Sequence, residues 1–259
     1  MGDKEQMAID RLKLAAEMSE AYYHKPVLIC YSGGKDSDVL LELARRAGIR
    51  YEVEHSLTTV DAPETVYHIK AKFKKLEQAG VSCTIKKPVM SMWQLIPHKK
   101  FLPTRKIRYC CEVLKESSGK GRHIVTGVRW AESVRRKKTR GVQESFEKRQ
   151  EKIILTNDND DKRQLVERCM LQAKTLTNPI IDWTDQEIYS YIDQEHICIN
   201  PLYCQGFKRI GCIGCPMAGR KMREKEFELY PTYKRAYIHA IDRMMQAREA
   251  AGLPPLQQK

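Results

Sequence analysis

Apolar residues along the chain come in two alternating patterns, short unbroken runs and longer stretches spaced three and four apart, and the alternation predicts strands and helices in turn. The first helical stretch, about 4–23, sets Met7, Leu14 and Met18, with Ala8 and Ala15, along one face, as a helix packed on a core requires. A short apolar run at 26–31 reads as a buried strand, and Val39, Leu40, Leu43 and Ala47 then fall at helical spacing. Residues 51–55 give a second strand. Asp61-Ala62-Pro63-Glu64 matches a helix start, with an acidic cap and an early proline, for a helix reaching about 78. Residues 81–85 after Gly80, 121–127 around His123-Ile124-Val125, and 152–155 supply further strands. Strand, helix, strand, helix, strand predicts an α/β fold, a parallel sheet flanked by crossover helices, with ligands beyond the C-terminal strand ends.

The rest of the chain is less regular. Basic residues crowd around Pro97 and Pro103 from His98 to Arg108, which predicts a loop rather than a helix, whereas the basic run from Arg135 to Arg140 stays open between a solvated, mobile loop and a functional stretch. Cys110-Cys111 leads into a short helix through Leu114. Residues 157–161 form an acidic turn or helix cap without the glycine and distal glutamate of a calcium loop. Thr184-Asp185-Gln186-Glu187 is a capping box for a helix to about 194, and 200–203 is a turn. The tail from 224 to 250 is helical by composition, so the expected organisation is an α/β domain over 1–200 and a mostly helical C-terminal extension over 201–259 packed on it.

Charge and cysteines narrow the function. In 259 residues, 46 Lys and Arg outweigh 33 Asp and Glu, and the resulting +13 makes a polyanionic partner a physical expectation. The charged N-terminus lacks the apolar centre of a signal peptide and no stretch approaches a membrane span, so a cytoplasmic protein without membrane attachment is expected. An odd count of nine cysteines with no secretory signal argues against a disulfide framework and for metal-binding thiols.

The candidate chemistry lies in a few stretches. Between the first strand and its helix stands Ser32-Gly33-Gly34-Lys35-Asp36-Ser37, where the glycines let main-chain N–H groups approach an anion at a helix N-terminus, with Lys35 and two hydroxyls alongside. Arg129, just past the strand end at Thr126-Gly127, can grip a phosphate or sulfate with paired hydrogen bonds. Cys212 and Cys215 have the two-residue spacing of a metal pair. Adjacent Cys110 and Cys111 reach separate irons of a cubane more easily than they chelate one zinc, which favours a 4Fe-4S cluster, with zinc and a redox disulfide as the alternatives. Cys30, Cys83, Cys169, Cys198 and Cys204 lack a partner spacing and default to buried structural thiols, although Cys204 stays a candidate sulfur-carrying nucleophile.

Taken together, the glycine loop, Cys110-Cys111, Thr126-Gly127-Val128-Arg129 with Glu132-Ser133, and Cys212-Ile213-Gly214-Cys215-Pro216 resemble the phosphoadenosine-phosphosulfate (PAPS) reductase family, within the PP-loop ATP pyrophosphatases. The resemblance implies an adenine-nucleotide α-hydrolase-like sheet and a nucleotide over the glycine loop. In iron-sulfur members it further implies a 4Fe-4S cluster on Cys110, Cys111, Cys212 and Cys215. Assimilatory reductases of the family carry a C-terminal cysteine and usually a degenerate glycine loop; this chain has no cysteine after Cys215 and an intact loop. Both departures imply cleavage of ATP with Mg2+, adenylation of an acceptor and transfer of sulfur, the acceptor being a nucleic acid as in the similar DNA phosphorothioation and tRNA thiolation enzymes. Ser32, Gly33, Gly34, Lys35, Asp36, Ser37, Asp61 and Gly127 would bind the nucleotide and its metal, with Lys35, Asp36 and Arg129 catalytic. A sulfur-donor protein such as a cysteine desulfurase is an expected partner, and self-association into a homo-oligomer is left open. The alternatives are a sulfonucleotide reductase producing sulfite and a non-catalytic nucleic-acid-binding module.

Overall fold

The computed structural model describes residues 2–115, 119, 121–146, 153–155 and 174–254. Helix α1 (Gly2–Tyr23) turns Ala8, Leu12, Ala15 and Met18 to the core; of the face expected from the sequence, Met7 is instead exposed and Leu14 only half-buried, because the buried stripe runs through Leu12. The βα alternation follows as β1 (Val27–Cys30), α2 (Lys35–Ala47), β2 (Tyr51–Ser56), α3 (Pro63–Gln78) and β3 (Cys83–Lys86). Gly48, at φ +63°, ends α2 by donating its N–H to the Arg45 carbonyl. Next come α4 (Met92–Lys99), α5 (Tyr109–Leu114), β4 (His123–Val125), α6 (Val134–Thr139), β5 (Gln143–Phe146), β6 (Ile153–Leu155) and β7 (Lys174–Thr177). The chain then forms α7 (Asp185–Gln194), α8 (Arg220–Leu229) and α9 (Pro231–Glu249).

The strands make one seven-stranded sheet in the order β3-β2-β1-β4-β7-β5-β6. Strand β1 is parallel to β2 and β4, with Val27 opposite Tyr51 and Leu28 opposite Ile124, and β4 is parallel to β7. The expected parallel sheet flanked by helices is therefore present. Strand β5 departs from it, running antiparallel to both of its neighbours, β7 and β6, so that β6 again has the direction of the parallel strands. Residues 157–161 and Cys169 lie outside the described residues.

One local expectation is corrected, and two others are made more definite. His98 and Lys99 belong to α4, which starts with a Ser91–Gln94 capping box and tolerates Pro97 in its last turn. The basic run after Ser133 is mostly helix α6, because Ser133 accepts the Arg136 N–H and Glu132 pairs with Arg136 one turn on. The tail is two helices, broken at Tyr230 where Pro231 takes the first position of α9.

The chain divides into two compact units, one of Met1–His55, Glu64–Ile85 and Gly119–Ile210, the other of Ser56–Pro63, Lys86–Ser118 and Gly211–Lys259. The sheet unit buries Leu12, Ile29, Leu40, Leu43, Val125, Trp183 and Tyr191 in one apolar cluster. The second unit is built on Leu95, Ile96, Tyr109, Tyr237 and Met244, so residues 211–259 of the expected extension share a core with two earlier segments. No helix of the described residues is long and apolar enough to cross a membrane.

His123 is fully buried in the sheet, with Nε2 on Thr177 Oγ1 and Nδ1 on Thr175 Oγ1, both at 2.8 Å. Burial lowers its pKa from 6.5 to about 3, so the folded protein keeps the ring neutral. Above pH 6.5 both folded and unfolded chains hold it neutral; below that value only the unfolded chain takes up the proton, and stability falls until the pH nears 3. From this one group the loss is at most about 1.4 kcal/mol per pH unit. Chemical denaturation between pH 7 and 4 is expected to show a shallower decline for His123→Gln than for the parent chain; parallel slopes would refute the assignment.

Candidate functional site

Strand β1 ends at Cys30 and the chain reverses through Ser32, Gly33 and Gly34 into α2. Gly33 sits at φ +74°, and a Cβ there would lie 2.9 Å from Ile69 Cγ1 and 3.1 Å from Thr65 Cγ2 on α3, so both backbone angle and space demand glycine. The first turn of α2 closes on the Gly34 carbonyl, which accepts Ser37 N–H at 2.9 Å, Asp38 N–H at 3.1 Å and Ser37 Oγ–H at 2.7 Å. Ser32 Oγ–H donates to Ser37 Oγ at 3.2 Å, bringing both hydroxyls of the motif onto one side of the turn. The start of α2 therefore carries the positive end of the helix dipole beside two hydroxyls.

A ring of charges surrounds it. Arg129, 1% exposed, donates from Nε to Asp36 Oδ1 at 2.8 Å, from Nη2 to Asp185 Oδ1 at 2.6 Å and from Nη1 to the Trp183 carbonyl at 3.1 Å. Lys35 Nζ lies 3.3 Å from Asp36 and 3.7 Å from Asp185, over the rings of Tyr189 and Tyr203. Burial opposes the charge of Arg129, but Asp36 and Asp185 outweigh it and raise its pKa; the bond from Arg129 in turn lowers that of Asp185. Gly127 makes the ring possible, since a Cβ there would sit 3.0 Å from the Asp36 carbonyl oxygen and 3.4 Å from Ser37 N. Behind the turn, Asp38 is fully buried and takes Tyr31 Oη–H at 2.7 Å, His68 Nε2 at 3.1 Å and Lys72 Nζ at 3.3 Å.

In the second unit, α5 carries Cys110 and Cys111, and a loop ahead of α8 carries Cys212 and Cys215. That loop is held by Ile213 N–H on the Val60 carbonyl at 2.8 Å, Gly214 N–H on Glu226 Oε2 at 2.8 Å and Tyr237 Oη–H on the Ile213 carbonyl at 2.9 Å. Gly214 is at φ +71° with its Cα against the Tyr237 and Phe227 rings, so no side chain fits. A hydrogen bond with Cys111 does most to raise the Cys110 pKa, followed by burial and the nearby Cys111, Cys212 and Cys215 sulfurs. Desolvation of the Lys115 ammonium opposes its charge, yet Cys212, Asp61 and Cys111 raise its pKa. Asp61 Oδ2 accepts Thr58 N–H at 2.7 Å, and its backbone bridges to Cys212. Among the described residues no group of at least three His, Cys, Asp or Glu is placed to hold one metal ion.

Residues 26–218, most of the chain and both of these regions, match the model of the phosphoadenosine phosphosulfate reductase domain. The chain belongs to this family. A 28% identical, uncharacterized protein of Methanocaldococcus jannaschii matches over 82% of this chain and 47% of its own length. The adenosine 5'-phosphosulfate reductase of Geobacillus kaustophilus is 25% identical over 74% of each chain. The chain spans 47% and 36% of the two M. jannaschii relatives that it matches. Among solved structures, the PAPS reductase of Candida auris in its phosphate complex aligns at 18% identity over 79% of this chain and 93% of that one, with a TM-score of 0.49. The U34-tRNA thiolase NcsA of Methanococcus maripaludis, with its 4Fe-4S cluster, aligns at 12% identity over 96% and 82%, with a TM-score of 0.45.

In this PAPS reductase domain the structure brings Ser32, Gly33, Gly34, Lys35, Asp36, Ser37, Gly127 and Arg129 together in the sheet unit, and Asp61 with Cys110, Cys111, Cys212 and Cys215 in the other. Arg129 spends its three bonds on protein groups, which makes it the brace of the ring. Asp185, Tyr189 and Tyr203 were not singled out from sequence as site residues; Asp185 carried only a helix-cap signal and Tyr203 only a turn signal. Two thiols expected to be buried are not: Cys198 and Cys204 are exposed, because both fall in the loops that follow α7 rather than on a core-facing element. Cys83 is half-buried, and burial pushes its thiol up to about 11.

Gly33→Ala combines a disfavoured φ with a collision on α3, whereas Gly48→Ala meets the φ penalty in open space. Urea denaturation is expected to show a loss of about 1 kcal/mol for Gly48→Ala and roughly 2–4 kcal/mol for Gly33→Ala. Equal losses would mean that the loop is not pressed against α3.

Proposed function

We propose that the chain is an ATP-cleaving member of the PAPS reductase domain family that adenylates an acceptor and supports sulfur transfer, with nucleic acid as the acceptor. The observation that carries this reading is the intact glycine turn, in which Gly33 and Gly127 hold the backbone in a close-packed reversal at the start of α2 beside Lys35, Ser32 and Ser37. The pyrophosphate of ATP would lie against Gly33 and Gly34, with Lys35 and the two hydroxyls on its oxygens. Mg2+ would be held through Asp36 and the phosphates, and Asp36 is fixed for that by Arg129. An acceptor oxygen attacks the α-phosphorus, pyrophosphate leaves, and a sulfur nucleophile then displaces AMP as the C–O or P–O bond to the adenylate breaks. The +13 charge supports a polyanionic acceptor, a DNA or a tRNA, and a cysteine desulfurase-like protein would supply the sulfur in a cytoplasmic setting.

A 4Fe-4S cluster is proposed for the second unit, held by Cys110, Cys111, Cys212 and Cys215, the four thiols that the family resemblance implies; the influence of the other three sulfurs on Cys110 supports it. When bound, such a cluster can hold a sulfur or brace the loop. Lys115 would balance the thiolate charge. The resemblance to the Geobacillus enzyme favours a second reading, in which adenylyl sulfate is reduced to sulfite.

One assay separates the two. Anaerobically purified protein with ATP, Mg2+, a sulfur donor and a panel of DNA and tRNA is expected to release pyrophosphate and to give an acceptor heavier by the exchange of oxygen for sulfur. Lys35→Met is expected to cut the rate at least tenfold, on the scale of a lost charge-assisted bond. Sulfite released from adenylyl sulfate by a thiol donor, with no pyrophosphate from ATP, would replace this reading by the second.

A further inference from the structure

The N–H of Lys35, the first residue of α2, already has an acceptor: Tyr203 Oη at 3.1 Å. The same oxygen lies 3.3 Å from where a Cβ of Gly34 would stand, directly over the turn that an anion must approach. Tyr203 is held there on purpose-built contacts. Asn200, fully buried, donates from Nδ2 to the Gly33 carbonyl at 3.2 Å and to Thr65 Oγ1 at 3.0 Å, while its Oδ1 accepts Leu202 N–H at 3.1 Å. Leu202 is buried, and the ammonium of Lys35 lies 5.8 Å from the centre of the Tyr203 ring. Residues 200–203 therefore form a turn clipped onto the glycine loop, and it presents a neutral oxygen at the mouth of the loop.

We propose that Tyr203 is an internal stand-in for a phosphate oxygen, which a phosphorylated ligand must displace to take the N–H of Lys35. This rests on the reading of the glycine turn as a phosphate cradle. An N–H has one proton to give, so the hydroxyl and an anionic oxygen compete for it. A charged oxygen makes the stronger bond, so the ligand wins, but its affinity is reduced by the bond it replaces. The device selects for ligands that bring a full negative charge and keeps the cradle closed to neutral ones.

The test compares the full chain with Tyr203→Phe, which keeps the ring and removes the oxygen. Amide hydrogen exchange at Lys35 is expected to be slowed in the parent, unlike an ordinary first-turn amide, and to speed up in Tyr203→Phe. Inorganic pyrophosphate, titrated calorimetrically, is expected to bind the variant about two- to tenfold more tightly, the fold-change of one neutral hydrogen bond. Equal or weaker binding by Tyr203→Phe, with the parent binding pyrophosphate, would overturn the stand-in and leave the cradle intact. If neither protein binds pyrophosphate or ATP, the cradle itself fails and the stand-in with it. An unprotected Lys35 amide in the parent would overturn the stand-in regardless of ligand.

Discussion

The exit of β4 passes the first turn of α2 so closely that a Cβ at Gly127 would crowd the Asp36 carbonyl at 3.0 Å, and the charged ring of the sheet unit is assembled at that approach. With the strand end this near, Arg129 reaches Asp36 and Asp185 from a position that is nearly closed to water. A guanidinium so placed is stable only if its charge is matched, and two carboxylates match it. Asp36 is thereby turned toward Lys35, and Lys35 is held between carboxylates and aromatic faces. Removing one partner would leave a buried charge uncompensated, so these groups act as a unit.

The second unit solves a similar problem with thiols. A positive-φ glycine, Gly214, lets the loop fold under Tyr237 and Phe227, and backbone bonds to Val60 and Glu226 fix its path between Cys212 and Cys215. The hydrogen bond with Cys111, then burial and the neighbouring sulfurs, raise the thiol of Cys110, and the ammonium of Lys115 supplies a nearby positive charge.

Much of this was legible in the sequence because the decisive residues are local. Gly33 and Gly34 sit between an apolar run and a helix, the Thr184 capping box forms as read, and α3 starts at Pro63. What stayed hidden depends on long-range contacts or on buried polar residues. Strand β5 begins Gln-Glu-Ser, with all three buried; Glu144 is satisfied by Gly141 N–H, Asn178 and Arg140, so no alternation of apolar and polar residues marks it. Tyr203 meets Lys35 across 168 positions of chain, and nothing in the local pattern of 200–203 points there. The helix across Arg135 to Arg140 was not legible from its charges, because the Ser133 cap and the Glu132–Arg136 pair act only once the backbone has turned.

The central claim is that the glycine turn supports reversible cleavage of ATP between its α and β phosphates. Positional isotope exchange addresses it directly, with ATP carrying 18O in the α–β bridge, Mg2+ and the acceptor but no sulfur donor. Reversible adenylation predicts that the label scrambles into the non-bridging β positions, and that scrambling is lost in Lys35→Met. A label that stays in the bridge with every nucleic acid tried, while adenylyl sulfate is turned over to sulfite, would contradict the account.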